Sequence, residues 1–420
     1  MITLAIILLI IIALLGVPLF SALAAGGLLA SQALDLSPDL LIIEMNRLAS
    51  SPNMIALPLF ILSGVIMSSG GAPQRLVCFF RAAFGWLPGG LAIVSIGACA
   101  FFTMFSGASG VTILALGGLL YPILKDEGYK EKFSLGLLTT SGSLGLLFPP
   151  SLAILVFGIV AGVSIEKLFM AGIVPGILLM IMLALYSSFM GHKHAVARTE
   201  FKLSLLISSA RGCAWDLLLP VAIIVGIFGG FVSIMEAAAV TASYVLFIET
   251  SVYHQINLRT QLFPLLIEAS VLFGSLLIIL LIALGLTNLL IDAQIPMKML
   301  AFLEQHIDSK LQFLLLLNLF LLLVGAMMDI FSAIVVVVPL ILPLAVRYGI
   351  DPVHLGIIFL ANLEIGYSTP PVGINLFIAS ERFRQPVVKL FKATLPFLLL
   401  MFVWLMIITY IPELSLWWKN

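Results

Sequence analysis

Two stretches of the sequence decide its fold: GSLGLLFPPSLAILVFG at 142–158 and EIGYSTPPVGINLFIAS at 364–380. Each places a Pro-Pro pair inside an apolar run, and the chain contains only these two pairs. Tandem prolines remove two backbone donors, so carbonyls of the preceding helical turn lose their partners. Because unpaired carbonyls at membrane depth are tolerated only beside protein or a water-filled cavity, each stretch predicts a broken transmembrane helix at a binding site.

The two stretches belong to a longer internal repeat. A shift of 221 residues superimposes glycines and prolines along the chain: Gly64 on Gly285, Pro122 on Pro343, Gly128 on Gly349, Gly145 on Gly366, and Pro149-Pro150 on Pro370-Pro371. One constant offset over this length indicates a duplicated unit, at 54–165 and 275–380.

The composition restricts the class of protein. Of 420 residues, 62% are hydrophobic and 10% are charged, and the mean hydropathy is +1.23. Because soluble domains carry about 25% charged residues, the chain is predicted to be an integral membrane protein. Twenty basic residues balance twenty acidic ones, and this neutrality argues against nucleic-acid binding.

The long, unbroken apolar runs predict an all-α polytopic fold rather than the alternating strands of a barrel. No lysine or arginine precedes Arg47, so the first run is predicted to be an uncleaved span. With the gap at 72–82 in the cytoplasm, 14 basic residues lie inside and 6 outside. This partition predicts nine full spans with the N-terminus inside, and it inserts the two units in opposite directions as an inverted repeat.

Each unit contains a second interruption. Apolar arms flank Ser106-Gly107-Ala108-Ser109 in the first unit and Gly325-Ala326-Met327-Met328-Asp329 in the second. In the first unit an arm of ~16 residues is roughly 24 Å long as a helix, shorter than the ~30 Å hydrocarbon core. We therefore predict a re-entrant hairpin in each half.

These breaks predict ion and anion sites. Unpaired carbonyls with Ser and Thr hydroxyls suit a hard monovalent cation, and the opposing half-helix N-termini suit an anionic group. Asp329 and Glu364 are candidates for an ion role, with structural pairing as the alternative. Ser106 and Ser109 have the alternative of bonding back to their own helix. We expect structural pairing or an interfacial position for the acidic residues nearer the ends of runs: Asp216, Glu236, Glu249 and Glu268.

Several ordered motifs resemble one family. FFTMFSGASGVTILALG (101–117), GAMMDIFSAIVVVVPLILPL (325–344) and GIDPVHLGIIFLANLEIGYSTPPVGINLF (349–377) are similar to the large, DctM-type membrane subunit of tripartite ATP-independent periplasmic (TRAP) transporters. The resemblance runs from PLFILSG at 58–64 to roughly residue 400. It implies a sodium-driven secondary transporter of the bacterial inner membrane, which imports carboxylate-bearing solutes by an elevator motion of the domain that contains both hairpins.

The resemblance also implies partners and site residues. A periplasmic binding protein delivers the solute, and a small four-helix membrane subunit is expected on a separate chain, since 420 residues leave no room for it. Sodium binding is implied for Ser106, Gly107, Ser109, Gly145, Asp329, Gly366, Thr369 and Gly373. Solute contacts are implied for Pro149, Pro150, Ser151, Pro370, Pro371 and Asn375. No catalytic residue and no metal other than sodium is implied.

The predicted organisation alternates scaffold and transport segments. Residues 1–53 and 166–274 form the scaffold, 54–165 and 275–380 form the transport domain, and 381–420 form a C-terminal span. One departure from the family is GGFVSIME at 229–236, where many relatives have a Thr-Pro-Thr-Glu-like segment, so the bend that begins this helix is in question.

Other functions receive less support from the sequence. An intramembrane enzyme is disfavoured because no His-x-x-x-His, Gly-x-Ser-x-Gly or paired-aspartate motif occurs inside a span. The runner-up is a stand-alone sodium/dicarboxylate carrier of similar inverted-repeat design that works without a binding protein. The sequence does not identify the solute.

Overall fold

The structure is a computed structural model that describes residues 19–33, 37–39, 42–43, 45–46, 50, 53–194, 196, 200–294, 297–298, 301, 307 and 309–419. These ranges contain helices joined by turns and no β-strand. The predicted first span begins in residues 1–18, which lie outside the described residues, as does Arg47.

The first half of the chain is a series of helices with two short irregular turns. The helices are α1 (Leu19–Ala33), α2 (Asn53–Ser69), α3 (Ala72–Phe84), α4 (Gly90–Ser106), α5 (Ser109–Thr112), α6 (Gly118–Asp126), α7 (Glu131–Ser141), α8 (Leu152–Ala161) and α9 (Ile165–Lys193). A π-helical turn, Ile113–Gly117, joins α5 to α6, and a 3-10 turn, Leu144–Leu147, follows α7.

The second half has the same character. Its helices are α10 (Leu203–Gly212), α11 (Ala214–Phe228), α12 (Ile234–Phe247), α13 (Leu262–Asp292), α14 (Lys310–Met327), α15 (Ile330–Arg347), α16 (Pro352–Gly366), α17 (Ile374–Phe383) and α18 (Val387–Tyr410). A π-helical turn, Ile248–Val252, ends α12, and a 3-10 turn, Pro412–Leu414, follows α18.

The helix bounds follow the offset of 221 found in the sequence. Adding 221 to the first residues of α4, α5, α7, α8 and α9 gives the first residues of α14, α15, α16, α17 and α18 to within one residue. The correspondence therefore extends beyond residue 165, into α9 and α18. Both Pro-Pro pairs lie between two helical segments, as the sequence predicts. The structure also shows a cis peptide bond within each pair.

Length and hydropathy identify the candidate spans within the described residues. Six helices are long and apolar enough to cross a membrane, and the count rises to nine when each bent helix pair is one span. Two of the six are α14 and α15, the arms on either side of Asp329. Each of these two helices has 18 residues, which is long enough for a full span by length alone. The re-entrant path in this half therefore stays a prediction.

The local signals that start and stop these helices are readable in the sequence. Ser151, Ser164, Ser309 and Asp351 each accept a hydrogen bond from a backbone N–H of the following helix, which satisfies a donor that lacks a helical partner. Gly107 ends α4 with φ +65°, a conformation that only glycine adopts without strain.

The region around Glu236 resolves the question raised by the missing Thr and Pro. The Ser233 hydroxyl accepts from the backbone N–H of Glu236 at 3.3 Å, while the Glu236 carboxylate accepts from the backbone N–H of Ser233 at 2.7 Å. This reciprocal capping box starts α12 without a proline, and it confirms structural pairing for Glu236.

One buried ion cluster joins two bent helix pairs. The helix axis turns by 72° between α2 and α3 and by 69° between α10 and α11. Arg75 of α3 donates from Nε and Nη2 to the carboxylate of Asp216 at 2.6 and 2.9 Å and also bonds Glu249. The ring of Tyr253 lies 3.5 Å from the guanidinium carbon. Structural pairing is thereby confirmed for both carboxylates.

Candidate solute and ion site

Two adjoining cavities lie where the interrupted segments of both halves meet. The first has a volume of about 310 Å³ and the second about 340 Å³. Both are lined by three residues of the two predicted hairpin tips, Gly107, Ala108 and Asp329, and by Val111 and Phe331, which follow the tips. The first cavity is closed on its other side by α2 and α13, and the second by residues near the Pro-Pro break of the second half.

The tip of the first half is a sharp turn between α4 and α5. A side chain at Gly107 would overlap the side chain of Leu152, so the turn packs directly on the start of α8. The Ser106 hydroxyl donates to the carbonyl of Ala108 at 3.4 Å, which lies beyond the end of α4, so the alternative of a bond back to its own helix is not what the structure shows. Ser106 and Gly107 line the first cavity, and Gly107 and Ser109 line the second.

An oxygen-rich cluster lies behind this tip. The hydroxyl oxygens of Thr103 and Thr112 are 2.7 Å apart, and Thr103 Oγ1 is 2.8 Å from the carbonyl oxygen of Gly142. A side chain at Gly145 would overlap the backbone of α4, so the 3-10 turn packs directly on that helix. Hydroxyl and carbonyl oxygens at the end of a helix are the ligands that transporters use for sodium. The residues of this cluster therefore fit the ion that the sequence predicts.

The tip of the second half is organised by Asp329. Its Oδ1 accepts hydrogen bonds from the backbone N–H groups of Phe331 and Ser332, each at 3.0 Å, and its Oδ2 accepts from the Ser332 hydroxyl. The carboxylate thus caps α15 and faces the positive end of that helix, which stabilises its charge. Asp329 lines both cavities, so capping and contact with an ion are compatible.

The remaining sodium candidates of the second half hold the broken helix against its hairpin. The carbonyl of Ala326 accepts from the backbone N–H groups of Val372 and Gly373 at 3.1 and 3.0 Å. A side chain at Gly366 would overlap the backbone of Gly325 and Ala326. The Thr369 hydroxyl donates to the carbonyl of Ile365 at 2.9 Å. Gly145, Gly366, Thr369 and Gly373 line neither cavity.

The predicted solute contacts lie behind the cavity walls. Ser151 caps α8, and Asn375 accepts a hydrogen bond of 2.7 Å from the Ser109 hydroxyl, which joins the two halves. Both side chains are fully buried. Ser151 and Asn375 line neither cavity. The same is true of the four prolines in the two pairs: Pro149, Pro150, Pro370 and Pro371. Leu152 is the residue that brings this segment to the first cavity.

Sequence reasoning missed three polar residues of the first cavity. Ser68 of α2 and Glu268 and Ser275 of α13 line the wall opposite the hairpin tips. The Glu268 side chain is exposed, lines the cavity and has no partner among the described residues, so the expected structural pairing is not found, while the expected interfacial position stays a prediction. An ionisable residue inside a long apolar run was the available signal.

Glu364 occupies a different environment. Its side chain is fully buried in α16, and no described basic residue forms an ion pair with it. It lines neither cavity, so an ion role for Glu364 stays a prediction.

Comparison with known proteins places these features in a family. Residues 6–414 match the family described as the DctM component of the tripartite ATP-independent periplasmic transporter. The C4-dicarboxylate TRAP transporter large permease protein DctM of Pseudomonas aeruginosa is 37% identical over 384 residues, which cover 90% of each chain. The isethionate TRAP transporter permease protein DctMQ of Oleidesulfovibrio alaskensis is 34% identical over 369 residues, which cover 87% of this chain and 58% of that one.

A solved structure shares the fold. The crystal structure of the YdaH transporter of Alcanivorax borkumensis superimposes with a TM-score of 0.62, covering 89% of this chain and 87% of that one. At 15% sequence identity, this likeness concerns the architecture alone.

Proposed function

The chain belongs to the DctM family of TRAP transporters, and on that premise we propose that it imports a carboxylate-bearing organic solute across a bacterial inner membrane, driven by a sodium gradient. It is a large permease subunit of such a transporter and not an enzyme. The identity of its solute is part of what we propose. Relatives are named for C4-dicarboxylate, isethionate and sialic acid.

The observation that carries the proposal is the first cavity. Val111 of α5 and Leu152, the first residue of α8, line it, whereas the first N–H groups of α15 are already bonded to Tyr367 and Asp329. Helix N-termini carry partial positive charge and free N–H groups, so they attract an anionic group without a basic side chain. None of the described residues that line this cavity is basic. The ligand that the first cavity favours is therefore a carboxylate held by helix N-termini and by sodium.

Sodium coupling is supported by the oxygen chemistry beside the same wall. The hydroxyls of Thr103, Thr112 and Ser106 lie behind one tip, and the carboxylate of Asp329 lies at the other. Sodium bound near the tips adds positive charge where the solute carboxylate lies. The affinity of each for its site then rises when the other is bound, which is the coupling that a symporter requires.

We propose an elevator mechanism in which the inverted repeat moves against a fixed scaffold. The first cavity lies beside the boundary where α2 and α13 meet the hairpin tips, and Gly64 of α2 packs directly on the backbone of Phe105 and Ser106 there. Relative movement at this boundary would carry the solute. Since α2 packs on α12 and on α13, we assign α2 and the repeated part of α13 to the scaffold rather than to the transport domain.

The proposed partners follow from the tripartite family. They are a periplasmic binding protein that delivers the solute and a four-helix small membrane subunit on a separate chain. The relative named DctMQ, of which this chain covers 58%, supports a further membrane segment in the working assembly. The alternative is a stand-alone sodium/dicarboxylate carrier, and the similarity in fold to the YdaH transporter agrees with either design.

Reconstitution tests the proposal. The permease is placed in proteoliposomes with its small subunit, and uptake of labelled succinate, isethionate and sialic acid is measured with and without the binding protein. We expect uptake of one acid that requires both the binding protein and an inward sodium gradient. Uptake without the binding protein would favour the stand-alone carrier, and uptake on a proton gradient without sodium would contradict sodium coupling.

A further inference from the structure

The wall of the first cavity that lies opposite the hairpin tips has a distinctive hydrogen-bonding character. It is built from α2 and α13, and its polar side chains are Ser68, Glu268 and Ser275. The remaining residues of this wall are apolar or lack a side chain, so these three decide what polar group the wall accepts.

Each of the three offers acceptors and no free donor. The Ser68 hydroxyl donates its proton to the carbonyl of Val65 at 2.8 Å, and the Ser275 hydroxyl donates to that of Leu272 at 2.9 Å. Carbonyl oxygens only accept, so both serine oxygens keep only lone pairs for a ligand. A carboxylate likewise accepts hydrogen bonds and donates none.

The opposite wall has the reverse character. The backbone N–H groups of Leu152 and Ala153 begin α8 and have no helical partner, that of Ile154 is bonded to the Ser151 hydroxyl, and Leu152 lines the cavity. Asp329, the one acidic residue on that side, is already bonded by two backbone N–H groups and the Ser332 hydroxyl. The cavity is therefore polarised, with donors at the start of α8 and acceptors on α2 and α13.

A solute that is only anionic does not suit both walls. Its carboxylate suits the helix N-termini, but a second carboxylate, or an apolar end, would leave Glu268 desolvated without a donor. Burying the charged carboxylate of Glu268 without a hydrogen-bond donor costs more free energy than a hydrogen bond to it contributes.

We propose that the cavity takes a small carboxylic acid that also carries an ammonium or hydroxyl group at its other end, and that Glu268 selects for this donor. The inference rests on the proposed function and names its substrate class as amino acids or hydroxy acids. The cavity volume of about 310 Å³ limits the solute to a small molecule.

Binding to the purified complex of the permease with its small subunit tests the inference, in sodium and without the binding protein, so that the permease alone sets selectivity. The probes are matched acids that carry the donor at the end opposite the carboxylate: propionate, 3-hydroxypropionate and β-alanine, and butyrate, 4-hydroxybutyrate and 4-aminobutyrate. Calorimetry should show the donor-bearing acids binding at least about tenfold more tightly than the matched acid, since a hydrogen bond to a charged group has this strength.

The near-isosteric variant Glu268→Gln should reduce that preference to about threefold or less, because its amide supplies a donor of its own. The control is Ser270→Ala on the same helix, since Ser270 lies outside the first cavity and the variant should keep the wild-type preference.

Two outcomes overturn the inference, and they are distinguishable. If the wild-type complex transports acids but binds the matched acids equally, or if Glu268→Gln keeps the preference, the inference alone fails. If none of the acids binds and no acid is taken up into proteoliposomes, the proposed function fails with it.

Discussion

Single residues determine how closely the broken helix of the second half approaches its hairpin. Gly366 packs against the backbone of Gly325, and Gly145 makes the equivalent approach to α4 in the first half. Both positions are related by the offset of 221, so the same close contact occurs twice.

We predict that Gly366→Ala destabilises the protein by about 2 kcal/mol, because the added methyl group overlaps backbone that has no room to move. Thermal unfolding in detergent measures the effect. The control is Gly274→Ala in α13, where an added methyl group meets nothing within 4 Å and should leave stability unchanged or slightly raised. An equal loss of stability in both variants would contradict the close-packing account.

Asp329 combines a capping role with the proposed ion role, and two substitutions separate these roles. Asn keeps a capping oxygen but removes the charge, whereas Ala removes both. We predict that Asp329→Ala lowers stability by about 1 kcal/mol while Asp329→Asn is close to wild type.

Sodium dependence of uptake should behave differently from stability. If Asp329 contributes charge to a sodium site, both variants raise the sodium concentration needed for half-maximal uptake at least several-fold. An unchanged sodium dependence in Asp329→Asn would assign this residue to capping alone.

Residue roles were only partly predictable from the sequence. The pairing of Asp216, Glu236 and Glu249 followed from their places near the ends of apolar runs, and the structure supplied the partners. The exposure of Glu268 to the cavity did not follow, because the face that a helix turns toward a distant segment depends on packing between segments far apart in sequence.

At the scale of helices, the ion cluster around Arg75 joins three elements. Asp216 and Glu249 are fully buried, and one guanidinium serves both carboxylates between α3, α11 and the turn that ends α12. Removing the cation would leave two buried carboxylates without a partner, which is the costly way to break a buried ion cluster.

We predict that Arg75→Met lowers stability by about 3–5 kcal/mol. The comparison is Arg81→Met on the same helix, because the Arg81–Glu127 pair is 43% exposed on the arginine side and contributes at most ~1 kcal/mol. Thermal unfolding of both variants in detergent decides the matter. Equal, small losses of stability in the two variants would show that the ion cluster around Arg75 does not hold these helices together.

The elements were more predictable than the residues. Apolar runs and the two Pro-Pro pairs are local signals, and they predicted helices and breaks that the structure contains. The 72° and 69° bends were not predicted, and the ion cluster beside them joins residues more than a hundred positions apart.

At the scale of the whole molecule, ion pairs agree with the charge partition of the sequence. The pairs Arg81–Glu127, Lys389–Glu131 and Arg75 with Asp216 and Glu249 each join segments placed on the cytoplasmic side. The Lys419–Asp351 pair joins two segments placed on the opposite side. The composition shows only that the net charge is zero. The positions of the charged residues along the chain predicted an orientation in the membrane, and these contacts agree with it.

The central claim at this scale is that solute and sodium occupy the cavity between the hairpin tips and the wall of α2 and α13. A cysteine placed at Ser68 reports on this cavity directly. Native Cys78 is exposed and is replaced by serine in this variant, while Cys99 and Cys213 are buried. In the otherwise unaltered protein, Cys78 serves as the control, since labelling there should not respond to solute.

The decisive measurement is the rate at which a water-soluble maleimide labels Ser68→Cys in the complex with the small subunit. The transported acid, added with sodium, should slow labelling at least tenfold, and replacing sodium by potassium should abolish this protection. Labelling that proceeds at the same rate with saturating acid and sodium would contradict the account.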